Sequence, residues 1–282
     1  MRWAVVGSSG MFGREMLKYL SAKNQDAVGF ERSAISAESS VDQIAALISD
    51  FDVLVNAAGF TAVDRAETEL FEANSVNAIF AGKLALAAAE ANVRFMHIST
   101  DFVFDGKASE PYKVTDNGDP QTAYGESKAL GEKLVTESGA DYSIVRTAWL
   151  YSAGGKNFAK TIASILKSQG QARVVGDQIG QPTWAADLAR VVFDVAQLKD
   201  MPRIVHATSS GSGSWADFAR EIAGTLGMSS ESVVEVSSAE FETAAKRPAY
   251  SVLDNSSSVI EPIGDWRERW AVAAPEVLRE FL

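Results

Sequence analysis

The chain has 282 residues, 46% of them apolar, which is enough for one large or two small domains around a buried core and excludes a disordered chain. A formal net charge of -11 argues against nucleic acid, or an anionic membrane surface, held by bulk charge, and leaves small ligands in locally basic pockets open. With no cysteine, disulfides and thiolate metal sites are excluded. The opening apolar run, residues 3–6, is too short for a signal-peptide core or a membrane span, and no later stretch approaches one. The sequence therefore predicts a cytoplasmic protein.

In chain order, residues 3–6 read as a strand, 7–13 as a turn, and the following residues through Leu20 as a helix. Residues 27–30 and 53–55, the latter ending at Asn56, read as the next two strands. The alanine-rich stretch 78–91 reads as a helix. Residues 95–98 make a fourth strand running into Ser99 and Thr100, a helix starts near Tyr124, and 142–145 make a fifth strand. Short apolar strands separated by helices predict an α/β fold, a Rossmann-type doubly wound parallel sheet with helices on both faces. After about residue 150 the rhythm breaks into a helix near 157–168, a short strand at 173–175, a helix at 185–198 and a Ser/Gly-rich loop at 209–214. This predicts a dinucleotide-binding domain over 1–150, continued by about 183–206. A smaller mixed substrate domain, 151–182 and 207–282, is expected to cap the carboxyl edge of the sheet.

The turn Gly7-Ser8-Ser9-Gly10-Met11-Phe12-Gly13 follows the first strand with G-x-x-G-x-x-G spacing. Glycines there allow a tight turn and close approach of a ligand to the main chain, and a helix N-terminus presents free N–H groups to a pyrophosphate. At the end of the second strand stand Glu31, suited to a ribose 2′-hydroxyl, and Arg32, suited to a 2′-phosphate. Both NADH and NADPH stay open.

Tyr124 and Lys128 are four residues apart, so on a helix they share a face. A free phenol titrates near ~10, and a neighbouring ammonium lowers that value. Such a tyrosine can protonate a carbonyl oxygen as hydride reaches its carbon, with the Thr100 hydroxyl on the same oxygen and Lys128 on the nicotinamide ribose. His97 and His206 read as buried strand histidines, and Trp266 and Trp270 as packing residues of a C-terminal helix. Asp101 reads either as a substrate-orienting group or as a turn cap.

Several segments together carry a family resemblance: VNAAGFTAVDRAE (55–67), ISTDFVFDG (98–106), YGESKALGE (124–132), IVRTAWLYS (144–152), NFAKT (157–161), VVGDQIGQPTWAADLA (174–189) and RPAYSVLDNS (247–256). With the glycine turn, they resemble the dTDP-4-dehydrorhamnose reductase group of the extended short-chain dehydrogenase/reductases, over nearly the whole chain. The resemblance implies reduction by NAD(P)H of the C4 ketone of a nucleoside-diphosphate 4-keto-6-deoxyhexose, in a monomer or homodimer. It implies Thr100, Tyr124 and Lys128 as the catalytic set and Asn56, Ala57, Ala58 and Gly59 beside the cofactor. On the substrate side it implies Thr61, Val63, Thr100, Asp101, Phe102, Tyr124, Trp149, Asn157, Gln181 in the loop 178–183, and Arg247 against the diphosphate.

The chain departs from that group in two places. Phe102 stands where the group usually has tyrosine, and Ser36 where it tends to have an acid. Glu15 matches a position linked to magnesium at a dimer interface in some members, so the resemblance leaves magnesium open there, although a single carboxylate on a surface helix is more often just solvated. Two other functions share much of this pattern. Another reductase, epimerase or dehydratase of nucleotide sugars would use the same Tyr and Lys, but dehydratases of this kind usually show Thr-Asp-Glu after the fourth strand, and here Phe102 follows Thr100 and Asp101. A non-catalytic NADP-binding regulatory subunit would tolerate loss of Tyr124 or Lys128, and both are intact.

Overall fold

Alternation along the strands decides the architecture. In the first strand, β1 (Arg2–Val6), Trp3 and Val5 face one way and Ala4 and Val6 the other, all essentially solvent-free. The same holds for β3 (Val53–Asn56), where Val53 and Val55 oppose Leu54. A strand apolar on both sides belongs inside a parallel sheet with two helical layers. The computed structural model, which describes residues 1–256 and 259–282, has that sheet. With β2 (Asp26–Phe30), β4 (Arg94–Thr100), β5 (Tyr142–Thr147) and a sixth strand, Ile204–His206, it runs β2, β1, β3, β4, β5, Ile204–His206, all parallel.

One face packs on helices Met11–Ala22 and Ala185–Gln197, through Phe12, Met16, Leu20, Leu188 and Val192. The other packs on Val41–Ile48, Ala81–Ala91 and Ala123–Glu137, through Ile44, Ile48, Leu84, Ala88 and Val135. The helix Val41–Ile48 is an addition to the elements expected from sequence, and Ser40 and Gln43 form a reciprocal capping box at its start. The alanine-rich element is also longer and less regular than expected. A short helix, Leu70–Asn74, and a π-helical turn, Ser75–Phe80, precede the α-helix Ala81–Ala91.

A third core, beside the sheet, joins Phe158–Gln169, Trp215–Thr225 and Trp266–Val277. Tyr151, Phe218, Trp266 and Trp270 fill it, so the two C-terminal tryptophans are packing residues as expected. Strand Ala172–Val175 pairs in parallel with Val233–Val236 above it. Among the described residues no helix is long and apolar enough to cross a membrane.

Candidate active site

A cavity of about 660 Å³ opens at the carboxyl ends of β1, β3, β4 and β5. Gly10 to Phe12, Ala57 to Gly59, Ile98 to Phe102 and Thr147 to Leu150 wall it from the sheet side. Phe158, Trp215, Phe241 and Arg247 close it from the C-terminal part.

The glycine turn is a backbone-to-backbone contact. Gly7 has φ +78°, and a Cβ there would come within 2.6 Å of Ala58 N. A Cβ on Gly13 would come within 2.3 Å of Gly7 O. The helix Met11–Ala22 therefore starts tight against the loop after β3, and its N-cap, Gly10, brings no side-chain cap. Its first N–H groups are left for a ligand, and Gly10 lines the cavity. That arrangement fits the pyrophosphate of a dinucleotide. The loop is held from beneath by His97, whose Nδ1 lies 3.0 Å from Asn56 Nδ2, while Asn56 Oδ1 accepts from Ala58 N at 3.1 Å. Burial keeps the His97 imidazole neutral, well below its usual range. His206 is likewise buried, bonded to Asp254 O and lowered by burial to about 4.

Helix Ala123–Glu137 brings Tyr124 and Lys128 to the same wall as Thr100, at the end of β4. Thr122 caps the helix through Gly125 N at 3.0 Å. Lys128 is buried and its Nζ donates to Ile98 O at 2.6 Å, leaving two N–H groups for a ligand. Burial pulls its pKa down to about 8, with the Glu132 carboxylate resisting.

The phenol differs from expectation. Its pKa is pushed up to about 12 by burial, partly offset by the Thr100 hydroxyl, with the Asp101 charge adding to the rise. Lys128 does not lower it, because an amine that titrates at about 8 has lost its charge before this phenol titrates. A phenol held protonated is a resident acid rather than a base, which is the form that reduction needs.

One turn beyond Lys128, Glu132 fixes this helix to the sheet. It takes Arg146 in a two-pronged pair, Nε to Oε1 at 2.9 Å and Nη2 to Oε2 at 2.6 Å, and accepts from Ser99 Oγ at 2.6 Å. All three residues are buried.

Sequence reasoning passed over two features of this wall. The first is Asn77, in the π-helical turn. It accepts from Phe60 N at 2.8 Å and donates to Phe60 O at 3.0 Å and Ser127 Oγ at 2.9 Å, clamping the loop after β3 to the Tyr-Lys helix. An asparagine within an alanine-rich helix was the available signal. Asn77→Ala is expected to cost about 1–3 kcal/mol, the range for buried groups left unpaired, read as a lower urea midpoint; an unchanged midpoint would remove the clamp from this account. The second is Trp215, whose ring stacks on Trp149 at 3.5 Å and 4°, with Phe158 against it at 4.5 Å. Trp149 itself has φ +47°, rare for a bulky residue, and its indole lies where a Cβ on Gly180 would be 2.4 Å away.

Thr61, Val63, Thr100, Asp101, Phe102, Tyr124, Trp149 and Arg247 all line the cavity. Phe102 sets its ring edge-on to Tyr124 at 5.5 Å. Arg247 holds Asp64 Oδ2 at 2.7 Å, and its buried Nη1 has no protein partner, as suits a group waiting for an anion. Two expected contacts are not brought to the wall. The Asn157 side chain caps helix Phe158–Gln169 through Lys160 N and donates to Ser152 O. The Gln181 amide bonds Ser209 O and the backbone of Leu253. Both amides are engaged in holding loops. Glu31 and Arg32 lie exposed past the end of β2, outside the cavity wall, with Arg32 4.0 Å from Glu72. Glu15 is buried on helix Met11–Ala22 with Lys18 3.9 Å away, and burial raises its carboxyl. Among the described residues no group of three or more His, Asp or Glu side chains is arranged to hold a metal.

Parallel strands, a glycine-bounded helix start and an acid phenol beside a buried ammonium define the extended short-chain dehydrogenase/reductase class of NAD(P)-dependent oxidoreductases. Within that class the model of the RmlD substrate binding domain matches residues 1–282, and the chain belongs to this family. It is 37% identical to the Bacillus subtilis spore coat polysaccharide biosynthesis protein SpsK, over 98% of this chain and 96% of that one. It is 36% identical to a Burkholderia thailandensis dTDP-4-dehydrorhamnose reductase, over 100% of this chain and 99% of the relative. Among solved structures, the Bacillus anthracis dTDP-4-dehydrorhamnose reductase in complex with NADP superposes with a TM-score of 0.92 at 32% identity, covering 98% of this chain and 99% of that one.

Proposed function

We propose that the chain reduces the C4 ketone of a nucleoside-diphosphate 4-keto-6-deoxyhexose, with dTDP-4-dehydro-L-rhamnose converted to dTDP-L-rhamnose as the first case to test. The observation that carries this reading is the meeting of Thr100, Tyr124 and Lys128 on one wall of a cavity that a helix N-terminus without a side-chain cap also lines. The same substrate is in the names of relatives matched end to end.

A reduced nicotinamide cofactor, when bound, supplies the hydride; every other contribution belongs to the chain. The N–H groups after Gly10 hold the pyrophosphate, and Ala57, Ala58 and Gly59 form the wall beside it. Residues 1–150 with 183–206 act as the dinucleotide-binding part, and 151–182 with 207–282 as the substrate part. Arg32, exposed and only loosely paired with Glu72 at 4.0 Å, could take a 2′-phosphate and Glu31 a 2′-hydroxyl, so NADPH and NADH are both candidate donors. Arg247 offers its unpaired Nη1 to the substrate diphosphate. Trp149, stacked on Trp215, and Phe102 give the sugar an apolar wall. Tyr124 gives its proton to the C4 oxygen. The two spare N–H groups of Lys128 hold the nicotinamide ribose, and its charge steadies the phenolate left behind.

Lys128 carries its charge below about 8 and loses it above. Turnover and cofactor affinity are therefore expected to fall together as pH rises through that value, and a flat profile from pH 7 to 9.5 would contradict the role. The direct test of the function is a screen of nucleotide 4-keto sugars with NADPH and NADH. Oxidation of either cofactor with dTDP-4-dehydro-L-rhamnose is expected. Cofactor binding with no oxidation by any keto sugar would instead favour a regulatory subunit.

A further inference from the structure

Thr100 has one proton to give, and in this structure it goes to its neighbour. Its Oγ1 donates to Asp101 Oδ1 at 2.9 Å and accepts from Phe102 N at 3.3 Å. A hydroxyl carries one donor and two lone pairs. With Asp101 ionised, Thr100 keeps only a lone pair, which can receive the Tyr124 phenol but cannot donate to a ketone oxygen. Asp101 is 3% exposed, its Oδ2 has no hydrogen-bond partner, and it lines the cavity with Thr100 and Tyr124. A buried carboxylate oxygen without a partner is costly as an anion and much less so as an acid.

Resting on the reductase reading, we propose that Asp101 is a positioning residue that carries a proton in the productive complex and so reverses the hydrogen bond at Thr100. The protonated carboxyl donates to Thr100 Oγ1, and the threonine O–H turns to the C4 oxygen. That oxygen then has two donors, Thr100 and Tyr124, as negative charge develops on it. The proton on Asp101 is taken from water before the ketone is reduced and stays there through the step. The proton that reaches the alkoxide is the one from Tyr124.

The surroundings support a carboxyl that titrates where this switch can operate. Burial pushes Asp101 up to about 6, with the nearby Ser251 and Thr100 hydroxyls and the N–H groups of Asp101 and Phe102 acting against the rise. Tyr124 faces it from helix Ala123–Glu137, and Ser251 from the segment after Arg247. The cations that line the same cavity are Lys128, Arg173 and Arg247. A sugar closing the cavity removes water and raises it further.

Two measurements test the proposal. In the wild-type protein without ligands, the carbon-13 signal of the Asp101 carboxyl, assigned by its loss in Asp101→Asn, is expected to titrate near pH 6 and to move upward when substrate or product is added. Titration in the ordinary carboxylate range, unmoved by ligand, overturns the proposal. In the second, kcat for reduction is followed from pH 5 to 9. The wild type is expected to lose about tenfold per pH unit above the Asp101 titration, below and apart from the Lys128 limb. Asp101→Asn, whose amide bonds Thr100 without titrating, is expected to lose the lower limb, vary less than about threefold to pH 7.5 and keep the limb near 8. Retention of the lower limb in the variant overturns the proposal. If the carboxyl titrates as expected but no keto sugar is reduced, the reductase reading fails and the Asp101 assignment in the free protein stands.

Discussion

Tyr124→Phe is expected to lower turnover by about 10³-fold, within the range that a positioned general acid contributes, while NADPH binding stays within about twofold. The variant keeps the ring and its edge-on contact with Phe102, and removes only the proton donor. Lys128 and the glycine turn, which would hold the cofactor, do not depend on the phenol: Lys128 is anchored on Ile98 O and the helix start on its own backbone. Single-turnover kinetics with nicotinamide fluorescence separate the two effects. Activity within tenfold of wild type would assign the proton to another group.

Arg146→Met is expected to cost about 3–5 kcal/mol of stability, because it leaves the Glu132 carboxylate buried without its countercharge. The pair joins β5 to the helix that carries Tyr124 and Lys128, so the damage is not confined to stability. The remaining carboxylate would still face Ser99 Oγ, which alone cannot replace two guanidinium bonds. The double variant Glu132→Leu with Arg146→Met is expected to recover much of the loss, since an apolar pair of similar volume carries no unpaired charge. Urea midpoints of the two singles and the double form a cycle, and additive losses would show that the two groups are not coupled.

Features set by neighbours in sequence were legible before the structure. The G-x-x-G-x-x-G turn and the four-residue step from Tyr124 to Lys128 each fix their own geometry within two turns of chain. The strands were legible because their side chains are apolar on both faces, as in β1 and β3. Closures across long separations were not. Asn77 meets Ser127 fifty residues on, and Trp149 meets Trp215 through a fold that no local pattern encodes. Asn157 and Gln181, expected on the substrate side, have amides already bonded to the backbone. A polar side chain in a loop next to a cavity looks like a ligand contact, but a loop with unsatisfied carbonyls needs the same amides. The direction of the Tyr124 shift was also beyond reach, because helical spacing gives the neighbour but not how deeply the phenol is buried, and burial decides the shift.

A labelled hydride can be followed from the nicotinamide to the sugar. With NADPH or NADH carrying deuterium at the transferred position of nicotinamide C4 and a dTDP-4-keto-6-deoxyhexose as substrate, one deuterium is expected at C4 of the product sugar. Product formed with hydrogen at C4 from water, or no label in the sugar at all, would contradict this expectation.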